Sequence, residues 1–232
     1  DGVANDQPAL QALATALGTR GGGVILLPKG TYKLNSSLQL PTNVILQGEG
    51  RTVSKIFGNL NSALIRGTGG ATGRNYRIGI RDLWVDNTSK TNVGGIGINF
   101  RNVTEAVCWN VYISNCERGL SLYTDVGYGC YYNEFYSLEF DTCTTGVLFA
   151  SNENHLIFPR FISCTTGIDW QSNSNSTVIG PSIESFTTGI NISAGALGGL
   201  ILGGRYENTP TSGTGINFAI SADTAKILIL NP

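Results

Sequence analysis

The sequence predicts an all-β fold: a right-handed parallel β-helix, a solenoid of about 22 residues per turn, opened by a short N-terminal capping helix. The first observation behind this is a phrase that recurs. Cys143-Thr144-Thr145-Gly146-Val147 returns as Cys164-Thr165-Thr166-Gly167-Ile168 and, with Phe for Cys, as Phe186-Thr187-Thr188-Gly189-Ile190. Looser copies stand at Cys116-Glu117-Arg118-Gly119-Leu120, Gly97-Ile98-Asn99-Phe100 and Gly215-Ile216-Asn217-Phe218. The glycines Gly97, Gly119, Gly146, Gly167, Gly189 and Gly215 are separated by 22, 27, 21, 22 and 26 residues. A nearly constant period, lengthened in only some copies, is that of a solenoid with loops inserted into particular turns. The second observation is the alternation after each Gly. Ile98 and Phe100, Leu120 and Leu122, Val147 and Phe149, Ile168 and Trp170 fall on one face, while Asn99, Ser121, Asp169, Asn191 and Asn217 fall on the other. Period two with one wet face is a half-buried strand. The third is composition: a chain this rich in Gly, Asn, Ser and Thr supports few helices.

Taken in order, residues 1–20 hold the one helical passage. Asn5 or Asp6 can cap it, Pro8 suits its first turn, and Leu10, Leu13, Ala14 and Leu17 recur at helical spacing before Gly21-Gly22-Gly23 stops it. A solenoid's open end must be covered, and an amphipathic helix laid on the first turn does so. Residues 21–232 are then a single β-helix domain. A second strand precedes each Cys, with Val111, Ile113, Leu138, Phe140, Phe161 and Ile183 inward, and Asp82-Leu83-Trp84-Val85-Asp86 reads as an earlier copy of Asn110-Val111-Tyr112-Ile113-Ser114. Glycine in the turn between the two strands is expected to supply a positive φ. Cys116, Cys143 and Cys164 occupy equivalent positions and are expected to form an inward column of reduced thiols continued by Phe186. Five cysteines is an odd number, and no spacing among them fits a zinc site. Four tyrosines, Tyr123, Tyr128, Tyr131 and Tyr132, crowd one long insertion. A last apolar strand at residues 225–230 leads to Asn231-Pro232 with no cap, so continuation of the chain or cover by a partner subunit is expected, and the lack of an initiating Met points to a fragment or a processed product.

The length suits one domain with a sizeable core. A net charge of −1 and 13% charged residues leave no basic face for nucleic acid. No apolar run is long enough for membrane insertion, and no signal peptide opens the chain.

Asp1-Gly2, Asn5-Asp6, Ala9, Gln11-Ala12, Gly22-Gly23-Val24, Leu27-Pro28-x-Gly30-x-Tyr32 and Leu46-x-Gly48-x-Gly50 together resemble the N-terminal signature of the pectate-lyase-3 type of β-helix. The resemblance covers roughly the first fifty residues. It implies kinship with phage tailspikes and other polysaccharide-degrading proteins, a bacterial surface polysaccharide as partner, and a homotrimer. The location it implies is a phage virion after cytoplasmic synthesis, with secretion as the alternative. It does not choose among hydrolases, lyases and catalytically silent spikes.

The residues themselves nominate one place for chemistry. Aligned on the Cys column, one outward file of the second strand runs Trp84, Tyr112, Glu139, Arg160, Ser182, and its neighbour runs Asp86, Ser114, Asp141, Ile162, Glu184, with Glu207 next. Glu139 and Asp141 are two residues apart on one strand, and Asp141 and Glu184 are two turns apart, spacings of about 6.5–7 Å and about 9–10 Å. Inverting glycosidases hold their carboxyls about 6.5–9.5 Å apart to admit a water, whereas retaining ones need about 5–5.5 Å. Glu139, Asp141 and Glu184 are therefore the expected acid and base, and Arg160, Trp84, Tyr112 and Glu207 the expected substrate-binding groups. A polysaccharide lyase using Arg160 and Tyr112 and a non-catalytic structural or receptor-binding module are the alternatives, the latter because wet-face charges are commonly no more than solvated pairs. His155 is a lesser candidate base. No metal ligand set and no cofactor motif is present.

Overall fold

A computed structural model describes residues 1–69, 73–88, 91, 94–124, 128–171, 175–194, 196, 198–207, 213–218 and 227–230. The end of the chain at Asn231-Pro232, the start of the expected last strand, and the segment Asn208-Thr209-Pro210 lie outside the described residues. The fold is a parallel β-solenoid of about 7 turns, with roughly 24 residues per turn. The expected period of about 22 is that of an uninserted turn. Glu139, Arg160 and Ser182 stand in register at such intervals, while the longer steps from Trp84 to Tyr112 and from Tyr112 to Glu139 carry the insertions.

Three ladders of parallel strands wind around the core rather than two. The first runs through Gly23–Leu27, Val44–Gly48, 79–81, 107–109, Glu134–Tyr136, His155–Ile157, Ser176–Ile179, Gly199–Leu202 and Ile227–Leu230. The second takes Gly30–Lys33, Ser54–Gly58, 84–87, 111–114, Glu139–Asp141, Arg160–Ile162, Ser182–Glu184 and Arg205–Glu207. The third comprises Leu38–Leu40, Ile65–Gly67, Ile96–Arg101, Arg118–Tyr123, Thr145–Ala150, Thr166–Trp170, Thr188–Ile192 and Thr214–Phe218. Within the paired strands, inward side chains sit over their equivalents one turn away. Phe140 and Phe161 stack at 5.0 Å with an interplanar angle of 11°, and Phe149 meets Trp170 edge-on at 5.4 Å. Cys116, Cys143 and Cys164 form the expected buried column of free thiols. Each thiol is directed at main-chain carbonyls, as in the 3.1 Å contact from Cys116 Sγ to Ser114 O. The buried amides of Asn133 and Asn154 are paired. Asn133 donates to Val103 O at 3.0 Å and to Asn154 Oδ1 at 2.8 Å, and Asn154 donates to Cys130 O at 3.1 Å.

The capping helix α1 spans Gln7–Thr19 and packs on the first and third ladders. Leu10 and Ala14 are buried and Leu17 joins the core, whereas Leu13, placed on the same stripe by its spacing, is 53% exposed on the helix flank. Asp6 stands at the N-cap position without capping. Its carboxylate instead accepts the Lys33 N–H at 2.9 Å, and Asn5 Oδ1 accepts from both Gln7 N and Asn35 N. The side chains before α1 thus tie it to the first turn.

The repeated glycines do a different job from the one expected of them. Gly97, Gly119, Gly146, Gly167 and Gly189 lack positive φ. They lie where one turn presses on the next: a Cβ on Gly146 would meet the Phe161 ring at 2.5 Å and Gly167 O at 2.6 Å. The left-handed corners are at Asn115, Thr142, Ser163 and Ser185, one residue before each member of the Cys column, and at Asp82, Asn110, Ser137, Phe158, Gly180 and Gly203 between the first and second ladders, where only the last two are glycines. Gly146→Ala should therefore lower stability by about 1–3 kcal/mol through overpacking. Gly73→Ala, where a Cβ meets nothing within 4 Å, should leave it unchanged, and urea denaturation of the two variants checks the contrast.

Candidate functional site

The outward side chains of the second ladder stand in the register the repeat implies. One file runs Lys55, Trp84, Tyr112, Glu139, Arg160, Ser182, Arg205, and its neighbour Phe57, Asp86, Ser114, Asp141, Ile162, Glu184, Glu207. Period two sends both files outward from short, flat strands, and the parallel pitch of about 4.8 Å brings successive members within side-chain reach.

At the early end of the files, Trp84 and Tyr112 lie 5.2 Å apart between ring centroids at 47°. The Lys55 ammonium sits over the indole at 3.7 Å and pairs with Asp86 at 2.6 Å. Asp86 and Ser114, expected on the wet face, are buried. Lys55 lies on Asp86, Asn115 Nδ2 reaches Asp86 Oδ1 at 3.0 Å, and the Trp84 indole N–H donates to Ser114 Oγ at 2.8 Å. This end is a closed, satisfied cluster.

The middle of the files is open and charged. Asp141 accepts the Tyr112 hydroxyl on Oδ2 at 2.7 Å and the Thr142 hydroxyl on Oδ1 at 2.7 Å. Glu139 Oε2 faces Arg51 at 3.1 Å and Arg160 at 3.8 Å. Arg160 reaches on to Glu184 Oε1 at 3.6 Å, which Arg205 approaches at 3.8 Å and Ser182 Oγ at 3.5 Å. Glu207 extends the row and pairs with Arg205. The candidates Glu139, Asp141, Arg160 and Glu184 are thus gathered on one face, with the Trp84–Tyr112 pair at one end and Glu207 at the other. Burial, then the hydrogen bond to Asp141, then the negative charges of Asp141, Glu139 and Asp86 push the Tyr112 phenol well above its ordinary value. Tyr112 is accordingly a proton-holding donor to Asp141.

His155 does not join this cluster. It opens a strand of the first ladder, in register with Glu134 and Thr177, on a different face. Two neighbours of the cluster escaped the sequence. Arg51 comes from the loop after Gly50, outside any repeat. Lys55 is one turn before Trp84 in the same file, and extending the strand pattern upstream across the insertion at 59–79 is the signal that finds it. Among the described residues no three His, Cys, Asp or Glu side chains gather as a metal site, and no helix is long and apolar enough to cross a membrane.

Residues 1–89 match the family model described as rhamnogalacturonase A/epimerase, pectate lyase-like, extending the resemblance carried by the first fifty residues. No match is found among curated proteins. Among solved structures the chain is similar to the N-terminal fragment of gene product 12 of bacteriophage phi29. The TM-score is 0.81 at 14% identity, covering 99% of this chain and 44% of that one. It is also similar to the pre-mature form of that gene product, with TM-score 0.68 at 16% identity, covering 89% of this chain and 31% of that one. The tailspike protein of E. coli bacteriophage HK620, in complex with a pentasaccharide, gives TM-score 0.75 at 15% identity, covering 100% of this chain and 47% of that one. At such identities the likeness is one of fold, and the chain spans less than half the length of each of these phage chains.

Tyr112→Phe should cost about 1.5–3 kcal/mol at neutral pH, the worth of a hydrogen bond to a charged acceptor. The pH dependence has a definite sign. Below about pH 10 both folded and unfolded states keep the phenol protonated; above it the unfolded state loses the proton first, so stability falls as pH rises. The variant should show a shallower fall in urea-denaturation stability from about pH 9 to about pH 11. A residual slope should remain from Tyr206, which burial lifts to about 12.

Proposed function

We propose that this chain is the β-helical part of a phage tailspike-type protein that binds a bacterial surface polysaccharide and cleaves it by inverting hydrolysis. The observation that carries the reading is the single exposed face on which Asp141, Glu139, Arg160 and Glu184 converge beside an aromatic pair. Asp141 and Glu184 occupy one file two turns apart, with Ile162 between them, so their strands are about 9–10 Å apart. That separation is of the order an inverting pair needs to hold a water beside the sugar. Asp141, held by two hydroxyls, is oriented to take a proton from that water, and Glu184 gives one to the leaving oxygen from its protonated form, which it reaches once a bound acidic sugar draws Arg160 onto itself and away from Glu184.

The lyase alternative is poorly served by the same geometry. Elimination needs a base, yet the Tyr112 phenol holds its proton tightly and Arg160 is engaged by two carboxylates. A non-catalytic spike module is the second reading. It is favoured by the guanidinium groups of Arg51, Arg160 and Arg205, which already partner Glu139, Glu184 and Glu207.

Trimeric assembly in a virion is part of the proposal, and the outer face of the first ladder supports self-association. Trp109 is 60% exposed, Leu228 55% and Leu230 47%, and Phe158 at the adjoining corner is 63% exposed. Such a run of exposed apolar side chains is characteristic of a covered surface.

Asp141→Asn should remain folded while losing at least about 100-fold in glycan-cleaving rate, the range of a removed acid–base group; reducing-end release on a cleaved capsular glycan measures it, and full activity removes Asp141 from the mechanism. Trp109→Lys combined with Leu230→Lys should shift the light-scattering mass from trimer to monomer, and an unchanged trimer places the interface elsewhere.

A further inference from the structure

Three depressions on the early turns run into one another. The largest, about 670 Å³, lies against Gln7, Asn35, Gln39, Asn61 and Arg66. A smaller one of about 120 Å³ shares Gln39 and Arg66 with it and reaches Asn99 and Arg101. Another, about 250 Å³, shares Asn35 and Asn59 with the first and reaches Lys33. Together they form one trough that starts at the corner after the second ladder and follows the outward face of the third. Gln39, Arg66 and Asn99 are successive members of one outward file there, about 4.8 Å per turn. The carboxylate cluster is on another face: Asp141 is three turns beyond Phe57, the nearest trough residue in its file.

The chemistry of the trough is one-sided. Lys33 and Arg66 contribute positive charge, and among the described residues no Asp or Glu lines it. Lys33 and Arg66 have no ion-pair partner among the described residues. The side-chain amides of Asn35, Gln39, Asn59 and Asn61 likewise make no hydrogen bond among the described residues, although the Gln39 main chain is bonded to Gln11 of α1 and the Asn35 N–H to Asn5 Oδ1. On the second ladder, by contrast, every glutamate of the cluster has an arginine. Unmatched cations in a concave, polar setting focus a positive potential. A guanidinium fork fits a carboxylate or a phosphate, and free amides both donate to and accept from hydroxyls.

We infer that this trough is a second binding site, separate from the carboxylate face, for an anionic, hydroxyl-rich oligosaccharide chain whose acidic group meets Arg66. The saccharide class rests on the glycan reading proposed above; the anionic preference rests on the trough alone. Lys33 at one end engages a further acidic group along the chain, and the asparagine amides take the hydroxyls between it and Arg66. The site would hold an acidic glycan on a face that does no chemistry, keeping the chain attached between encounters with the carboxylates.

The test is isothermal titration of the trimer or the isolated chain with three probes: hexagalacturonate, a glycerol-phosphate hexamer and maltohexaose. At least one anionic probe should bind at least about tenfold tighter than the neutral one, and which of the two does so names the acidic group as carboxylate or phosphate. Arg66→Gln should weaken that binding about tenfold or more, and Arg66→Lys less, because a point charge replaces a fork. Arg66 is exposed, so both variants should fold as the parent does. Asp141→Asn should leave the affinity unchanged. Equal binding of all three probes, no binding of either anionic probe, indifference to Arg66→Gln, or a loss with Asp141→Asn matching that with Arg66→Gln overturns the inference. Loss of cleavage by Asp141→Asn with Arg66-dependent binding intact separates this site from the hydrolytic one, and intact binding with no cleavage of any glycan leaves this inference standing while the hydrolase reading fails.

Discussion

The interval of about 4.8 Å between hydrogen-bonded parallel strands governs the molecule. It obliges each turn to lay its side chains over those of the turn before, and three ladders satisfy it at once around a common core. Inside, the obligation yields stacked rings and a column of thiols, so that the residue at one turn restricts the residue at the next. Phe140 over Phe161 leaves no room for a Cβ on the neighbouring Gly119 or Gly146. The corners absorb what the strands cannot: small polar residues such as Asn115, Thr142 and Ser163 take the left-handed conformation and let the chain turn without breaking the stack.

Outside, the same interval makes chemistry. Residues far apart in sequence become neighbours at a fixed spacing, and two adjacent files on the second ladder bring together the carboxylates of Glu139, Asp141, Glu184 and Glu207, two arginines and an aromatic pair. The cluster is graded along its length. The Lys55–Asp86–Trp84 end is buried and internally satisfied, and the Glu139–Glu184 stretch is open to a ligand. The hydroxyl of Tyr112 joins the two, because its ring belongs to the closed end and its proton is given to Asp141. The first ladder turns an apolar face outward and the third a polar one, so each of the three sides has its own surface chemistry.

Much of this was legible in the sequence because the repeat writes like residues at like positions. The second-ladder files, the Cys column and the inward rows of the third ladder follow directly from aligning Cys116, Cys143 and Cys164. The first ladder did not announce itself. Its strands are short, and apolar side chains such as Trp109, Ile157 and Ile179 face outward beside inward Cys108, Leu156 and Val178, which erases the alternation that marks a strand. The glycines misled for a related reason: sequence shows that a side chain is absent, but not whether its absence serves a backbone angle or the approach of the next turn. Asp86 and Ser114 sit at outward positions and are nonetheless buried, because Lys55 and Trp84 close over them across turns of irregular length. Arg51 belongs to no repeat, so only the folded chain brings it to Glu139.

The account stands on the second-ladder carboxylates acting as an acid–base pair on a glycan. Incubation with a panel of bacterial capsular and lipopolysaccharide glycans, following reducing ends and ultraviolet absorbance together, addresses that directly. Hydrolysis gives new reducing ends on at least one glycan with no rise in absorbance, and this is the result predicted. Reducing ends that appear together with absorbance would mean elimination, and binding without either signal on any glycan would mean a spike that holds its ligand uncut; both results contradict the account.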